Sequence, residues 1–127
     1  DERVLNQFIQ KGIKGSIDLL DSGLSMRTYG YIADGVIMLL NILTKNSKST
    51  YNVGGRSVMS IRDLAIKVGQ QMDVDVKVPV ESESSLKGAP QFVGLNLSRI
   101  ENEFGIEEYI EIDQGLKNTI KWIKNYE

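Results

Sequence analysis

Residues 21–34 read Asp21-Ser22-Gly23-Leu24-Ser25-Met26-Arg27-Thr28-Tyr29-Gly30-Tyr31-Ile32-Ala33-Asp34. Turn-forming residues open this stretch, and an extended run that carries one arginine follows them. The helical spacing of apolar residues then predicts a helix over 34–45, with Asp34 near its start, where a carboxylate suits the helix dipole. This helix is so apolar that we expect other parts of the protein to cover it on more than one side.

Helix and strand signals alternate on both sides of this stretch. Upstream, the pattern predicts an amphipathic helix over 2–13 and a short strand over 16–20, which we expect to form a hairpin or a loop-flanked pair with the extended residues 26–31. Downstream, we expect three extended segments, at 49–53, 75–80 and 91–97, with a polar loop over 81–89.

Three further helices have recognisable ends. Ser60 followed by Asp63, and Ser98 followed by Glu101, resemble capping boxes, and Gly105 suits the end of the second of these helices. The last helix begins at about 113, and we expect Trp122 to belong to its buried face. The pattern predicts a small mixed α/β fold in which residues 1–127 form one domain, and another part of the protein supplies the main sheet.

Composition excludes several classes of function. The chain has no cysteine and no histidine, which removes disulfides, thiolate nucleophiles, imidazole bases and Cys/His zinc sites, and its acidic residues lack metal-ligand spacing. A net charge of −2, without blocks of one sign, argues against a nucleic-acid partner. No apolar run is long enough for a membrane span, so we expect no membrane association and a cytoplasmic protein.

Five motifs occur in a characteristic order along the chain. They are Arg3-Val4-Leu5-Asn6-Gln7-Phe8-Ile9, Arg27-Thr28-Tyr29-Gly30-Tyr31-Ile32-Ala33-Asp34, Tyr51-Asn52-Val53-Gly54-Gly55, Ser60-Ile61-Arg62-Asp63-Leu64-Ala65 and Gly115-Leu116-Lys117-Asn118-Thr119-Ile120-Lys121-Trp122. In this order they resemble the C-terminal, substrate-binding part of the extended short-chain dehydrogenases/reductases. Within that family of NAD-dependent epimerases and dehydratases, the similarity is greatest to UDP-glucuronate decarboxylases and dTDP-glucose 4,6-dehydratases.

The resemblance implies a nucleotide-sugar substrate and four substrate-binding candidates. The arginine that matches Arg27 contacts the pyrophosphate in the family, a role that suits a planar, always charged fork. Tyr29 would shape the pocket, and Arg3 would reach the nucleotide from its helix. Lys87 is the nearest cation where the family usually has a second phosphate-binding arginine, which this chain lacks together with the aspartate expected near Asn96.

The same resemblance implies that the reaction centre lies elsewhere. The chain contains no strand followed by a Gly-rich turn and helix, and no tyrosine has a lysine four positions later, so we expect no catalytic residue and no cofactor-binding residue here. NAD and the catalytic tyrosine would belong to an N-terminal Rossmann domain. The chain starts at Asp1 rather than Met, and we expect it to be an inactive fragment of a longer isomerase or lyase of carbohydrate biosynthesis.

Two other interpretations remain open. Arg27 could be a surface arginine that pairs with Asp21 or Asp34, and the chain could be a non-catalytic binding or regulatory module with a related fold. A fragment separated from its enzyme should also expose apolar surface, from which we expect self-association.

Overall fold

The computed structural model describes residues 3–45, 47–48, 50–79 and 91–126. In chain order the elements are α1 (Val4–Ile13), β1 (Ser16–Asp18), β2 (Met26–Tyr29), α2 (Ile32–Lys45), β3 (Ser57–Ser60), α3 (Ile61–Met72), β4 (Asp75–Lys77), α4 (Ser98–Phe104) and α5 (Ile112–Tyr126). The mixed α/β class is confirmed, because helices alternate with short strands throughout. No helix in these ranges has both the length and the apolar character to cross a membrane.

The strands of the described residues form two small sheets. β1 pairs in parallel with β4, and β2 pairs antiparallel with β3, with Arg27 opposite Met59 and Tyr29 opposite Ser57. A hairpin of the first two strands, one of the two predicted arrangements, is therefore wrong. Gly23 explains the outcome: its amide bonds to Asp21 and its carbonyl accepts from Arg62 N, which directs the chain onto the start of α3.

The strand predicted over 49–53 is also wrong. Residues 50–56 run without regular secondary structure, and the strand of this region starts later, at Ser57. Extended backbone becomes a strand only when a neighbour supplies a hydrogen-bonded ladder. Residues 91–97 likewise form no regular strand, and their pairing is limited to an isolated bridge between Met26 and Phe92. The predicted loop over 81–89 lies outside the described residues.

α3 lies at the centre of the main core. The hydroxyl of Ser60 accepts a hydrogen bond from Asp63 N at 2.9 Å, which confirms the predicted cap. The apolar face of α3 then packs against α1, β1 and α5. This core contains ten buried side chains, Phe8, Ile9, Ile17, Leu19, Leu64, Ala65, Val68, Leu116, Ile120 and Ile123.

A smaller core joins α2 to α4 through Met38, Leu97 and Ile100. The predicted cap of α4 is wrong: Leu97 occupies the N-cap position, and Ser98 is the first helical residue, its amide bonded to Asn96 Oδ1. Gly105 ends α4 with a φ of 64°, as predicted.

α5 buries one stripe and exposes its aromatic residues. Leu116, Ile120 and Ile123 face the main core, and Trp122 is 60 % exposed, with its ring against that of Tyr126. The prediction that Trp122 belongs to the core is therefore wrong. A position next to Ile123 in the sequence lies about 100° around the helix axis, away from the buried stripe.

Candidate functional site

Strand β2 places two of the predicted site residues on one face. Arg27 and Tyr29 are two positions apart, and side chains with this spacing point to the same side of a strand. Both are half-buried, and Tyr29 packs against the main core. The structure therefore brings together the arginine and the aromatic side chain that the sequence selected.

The guanidinium of Arg27 is anchored to its own strand. Its Nη1 donates to the carbonyl oxygen of Met26 at 2.7 Å. The two aspartates considered as its partners bind backbone amides: Asp21 Oδ1 accepts from Gly23 N, and Asp34 Oδ2 accepts from Ile110 N. The Asp34 bond joins the start of α2 to the segment that precedes α5.

Tyr29 lies in an apolar environment. Its hydroxyl oxygen is buried and has no hydrogen-bond partner among the described residues. Burial raises the pKa of the phenol, and the nearby positive charge of Arg27 acts in the opposite direction. Tyr29 also lines a cavity of about 280 Å³ together with Leu5, Tyr31, Ile112 and Leu116. At neutral pH the phenol is therefore protonated, and it forms an uncharged part of the cavity wall.

The other two candidates lie apart from this strand. Arg3 precedes α1, with an exposed side chain, and its carbonyl oxygen accepts from Gln7 N. Leu5, two residues further on, lines the same cavity as Tyr29, so the start of α1 borders the site. Lys87 lies outside the described residues.

Sequence reasoning missed a cluster on the other side of the β2–β3 sheet. Arg56 Nε donates to Glu101 Oε1 at 2.8 Å, and the hydroxyl of Tyr109 donates to the same oxygen at 2.8 Å. The guanidinium carbon of Arg56 lies 4.8 Å from the centre of the Tyr109 ring. Forty-five positions separate Arg56 from Glu101, so no local sequence signal indicates the cluster.

The charges of this cluster shift its pKa values. Hydrogen bonds from Arg56 and Tyr109 lower the pKa of Glu101. Burial and the adjacent carboxylate raise the pKa of Tyr109 to about 12. The cluster is therefore a charged pair with a neutral phenol over a wide pH range.

The paired glycines do not form a dinucleotide cradle. Such a cradle needs a strand, a glycine-rich turn and the N-terminus of a helix, in that order. Gly12 lies in the last turn of α1 and Gly15 precedes β1, whereas Gly54 and Gly55 lead into strand β3. The described residues thus do not fit the NAD site of a Rossmann domain.

Comparison with solved structures shows the fold of this chain. A dTDP-glucose 4,6-dehydratase from Bacillus anthracis in complex with NAD superimposes with a TM-score of 0.83 at 20 % identity, covering 99 % of this chain and 40 % of that chain. The fold is that of part of an extended short-chain dehydrogenase/reductase. The predicted resemblance to these NAD-dependent epimerases and dehydratases is thereby confirmed.

Other relatives agree with this assignment. The Bordetella bronchiseptica enzyme WbmF, solved with NAD⁺ and UDP, has a TM-score of 0.80 at 24 % identity over 97 % of this chain and 37 % of its own. Among curated proteins, UDP-glucuronic acid decarboxylase 1 of Xenopus tropicalis is 25 % identical over 125 residues, which is 98 % of this chain. No protein-family model matches the chain.

The chain spans only part of these relatives. It covers 29 % of the length of the curated decarboxylase and 40 % of the dehydratase structure. Most of each relative has no counterpart in the 127 residues.

Proposed function

We propose that this chain is the C-terminal, substrate-binding part of an NAD-dependent nucleotide-sugar epimerase, dehydratase or decarboxylase, and that Arg27 holds the nucleotide diphosphate. The observation that carries the proposal is the position of Arg27 on β2, beside Tyr29, in a fold shared with enzymes of this class. The solved relative with bound UDP supports a nucleotide ligand.

The chemistry of arginine suits this role. A guanidinium carries five N–H donors in a planar fork and stays charged at all relevant pH values. The bond from Nη1 to the Met26 carbonyl holds the guanidinium on its strand, and a guanidinium can bind two phosphate oxygens at once. Fixing the fork in advance reduces the conformational entropy that is lost when the diphosphate binds.

Binding the diphosphate serves the reaction indirectly. The nucleotide is remote from the sugar carbon that reacts, and its binding energy positions that carbon for chemistry. NAD and the catalytic groups would then lie in a Rossmann domain outside this chain, in keeping with NAD in the solved relatives. By itself the chain would be inactive.

The exposed face of α2 supports the contact with such a domain. Ile32, Val36, Leu39, Leu40 and Leu43 are exposed on this helix, and Met38 is its one buried residue. The extended residues 50–56 follow α2 in the chain and form no strand with the described residues. A sheet next to them would cover the apolar face and pair with this segment.

The test is Arg27→Ala in the full-length protein. We expect the KM for the nucleotide sugar to rise about tenfold or more, because a charge-assisted hydrogen bond contributes about 1.5–3 kcal/mol. NAD binding should persist, since the described residues lack an NAD cradle. Arg62→Ala, an exposed arginine on α3, is the matched control and should leave the KM unchanged.

Titration with UDP-, dTDP-, GDP- and CDP-sugars identifies the nucleotide. An unchanged KM in Arg27→Ala would reject the diphosphate role. A full-length protein without bound NAD or turnover would instead favour the non-catalytic module.

A further inference from the structure

A second cavity lies on the opposite side of the β2–β3 sheet from Arg27 and Tyr29. Thr28 lies between those two residues on β2, so its side chain points to the other face, where it is paired with Val58. Both residues line a cavity of about 520 Å³, a volume within the usual range for small-ligand sites. Arg56 and Glu101 also belong to its lining.

Arg56 is fixed in this cavity by two contacts. Its Nε bonds to Glu101 at 2.8 Å, and its guanidinium carbon lies over the Tyr109 ring, 4.8 Å from the ring centre. The bond to Glu101 uses Nε, and the two terminal nitrogens of the guanidinium carry further N–H donors. An arginine whose ion pair uses Nε can present the outer edge of its planar fork to a ligand.

Apolar walls complete the cavity. Phe92, Leu95 and Val58 line it and are exposed, Phe92 to 59 %. The Phe92 ring lies against the backbone at Gly94, and a Cβ at position 94 would lie 2.7 Å from ring carbons. Glycine at this position therefore lets the Phe92 ring pack this closely against the backbone.

The charges of the cavity decide the class of ligand. Arg56 and Glu101 form an ion pair, so their opposite charges largely cancel and a free anion gains little electrostatic attraction. The pair still offers N–H donors and a carboxylate acceptor side by side, and Asn96 and Ser98 add an amide and a hydroxyl. This combination suits a neutral ligand that carries both donors and acceptors.

We infer that this cavity binds a neutral, hydroxyl-bearing ring such as a pyranose, with its hydroxyl groups on Arg56 and Glu101 and its C–H face on Phe92. The site is separate from the proposed diphosphate site, because the two lie on opposite faces of β2. It binds its ligand without a chemical step.

The test uses the intact protein and methyl β-glucopyranoside as the probe, with binding followed by NMR titration of the Arg56 Nε–H resonance. We expect saturable binding that Arg56→Lys weakens about tenfold or more, because lysine keeps the charge and loses the fork. Arg62→Lys is the matched control and should bind like the wild type. Gly94→Ala should also weaken binding by displacing the Phe92 ring.

Three results would overturn the inference. One is the absence of saturable binding, and a second is tighter binding of inorganic phosphate than of the glycoside. The third is loss of glycoside binding in Arg27→Ala, which would assign the ligand to the other face. If Arg56→Lys unfolds, Phe92→Leu provides the decisive variant, since it keeps the apolar volume and removes the ring.

Discussion

Gly30 and Gly55 lie with backbone against backbone, at the end of β2 and just before β3. A Cβ added at Gly30 would lie 2.7 Å from the Cα of Gly55, and a Cβ at Gly55 would collide with the carbonyl oxygen of Tyr29. The contact fixes the segment 50–56 next to the strand that carries Arg27. Neither position has room for any side chain.

Gly55→Ala should therefore destabilise the protein. We expect the free energy of unfolding to fall by about 1–3 kcal/mol, the usual cost of forcing extra volume into a packed site. Urea denaturation measures the change. Gly35→Ala is the control, because a Cβ at Gly35 meets no atom within 4 Å and alanine favours the helix by up to about 1 kcal/mol. Equal effects of the two substitutions would contradict the close contact.

The cap of α3 gives a second prediction. The Ser60 hydroxyl accepts from Asp63 N at 2.9 Å and donates to Asp63 Oδ2 at 2.7 Å, and Ser60 is buried. Ser60→Ala should lower the free energy of unfolding by about 1 kcal/mol, as is usual for a lost N-cap. Ser98→Ala, at the first helical residue of α4, should change it by less than about 0.5 kcal/mol. A larger loss from Ser98→Ala would show that the capping roles are reversed.

The environment of Tyr109 predicts a loss of stability in alkali. The phenol has a pKa of about 12 in the folded protein, raised from 10.0, so folding favours its protonated form. Stability from this group is present below pH 10 and is lost as the pH rises from about 10 to 12. Tyr109→Phe should flatten the fall in unfolding free energy over that interval.

Glu101→Gln tests the cause of the Tyr109 shift. The carboxylate raises the pKa of the phenol through its charge and its hydrogen bond, so its removal should shift the Tyr109 titration toward lower pH. Absorbance of tyrosinate, as a difference between each protein and its Tyr109→Phe counterpart, follows that titration. An identical midpoint with glutamate and with glutamine at position 101 would leave burial as the sole cause.

The helices could be predicted from sequence because their signals are local. α3 carries its cap and its apolar stripe within 12 residues, and Gly105 ends α4 by its own backbone conformation. Strand pairing depends on distant partners, which explains why β1 pairs with β4 and not with β2. Trp122 illustrates the same limit, since one position along a helix separates a core residue from an exposed one.

The residues of the candidate site and of the second cavity differ in the same way in whether the sequence could predict them. Arg27 and Tyr29 could be selected from one motif, because two positions on a strand share a face. The ion pair between Arg56 and Glu101 could not, because the two residues meet only when α4 packs beside the segment that precedes β3. Sequence patterns thus predict the candidate residues on β2, but they do not predict the cavity on the opposite face of the β2–β3 sheet.

The exposed face of α2 predicts that the isolated chain self-associates. Ile32, Val36, Leu39 and Leu43 follow one another at spacings of 4, 3 and 4, which aligns them on one side of the helix, and Leu43 is 81 % exposed. A helix with such a stripe usually buries it, because about 0.8 kcal/mol is gained for each buried CH₂ group. Sedimentation of the 127-residue chain should show oligomers that grow with concentration.

Replacing the stripe should abolish that assembly. Leu39→Gln with Leu43→Gln should give a monomer that still folds cooperatively, because neither side chain contributes to the two cores. Leu20→Gln is the control, since Leu20 is 87 % exposed on a different surface and should leave the assembly intact. In the full-length protein the double substitution should instead lower stability if the proposed Rossmann domain covers the same face. An isolated chain that stays monomeric at every concentration would contradict the prediction that the exposed face of α2 drives self-association.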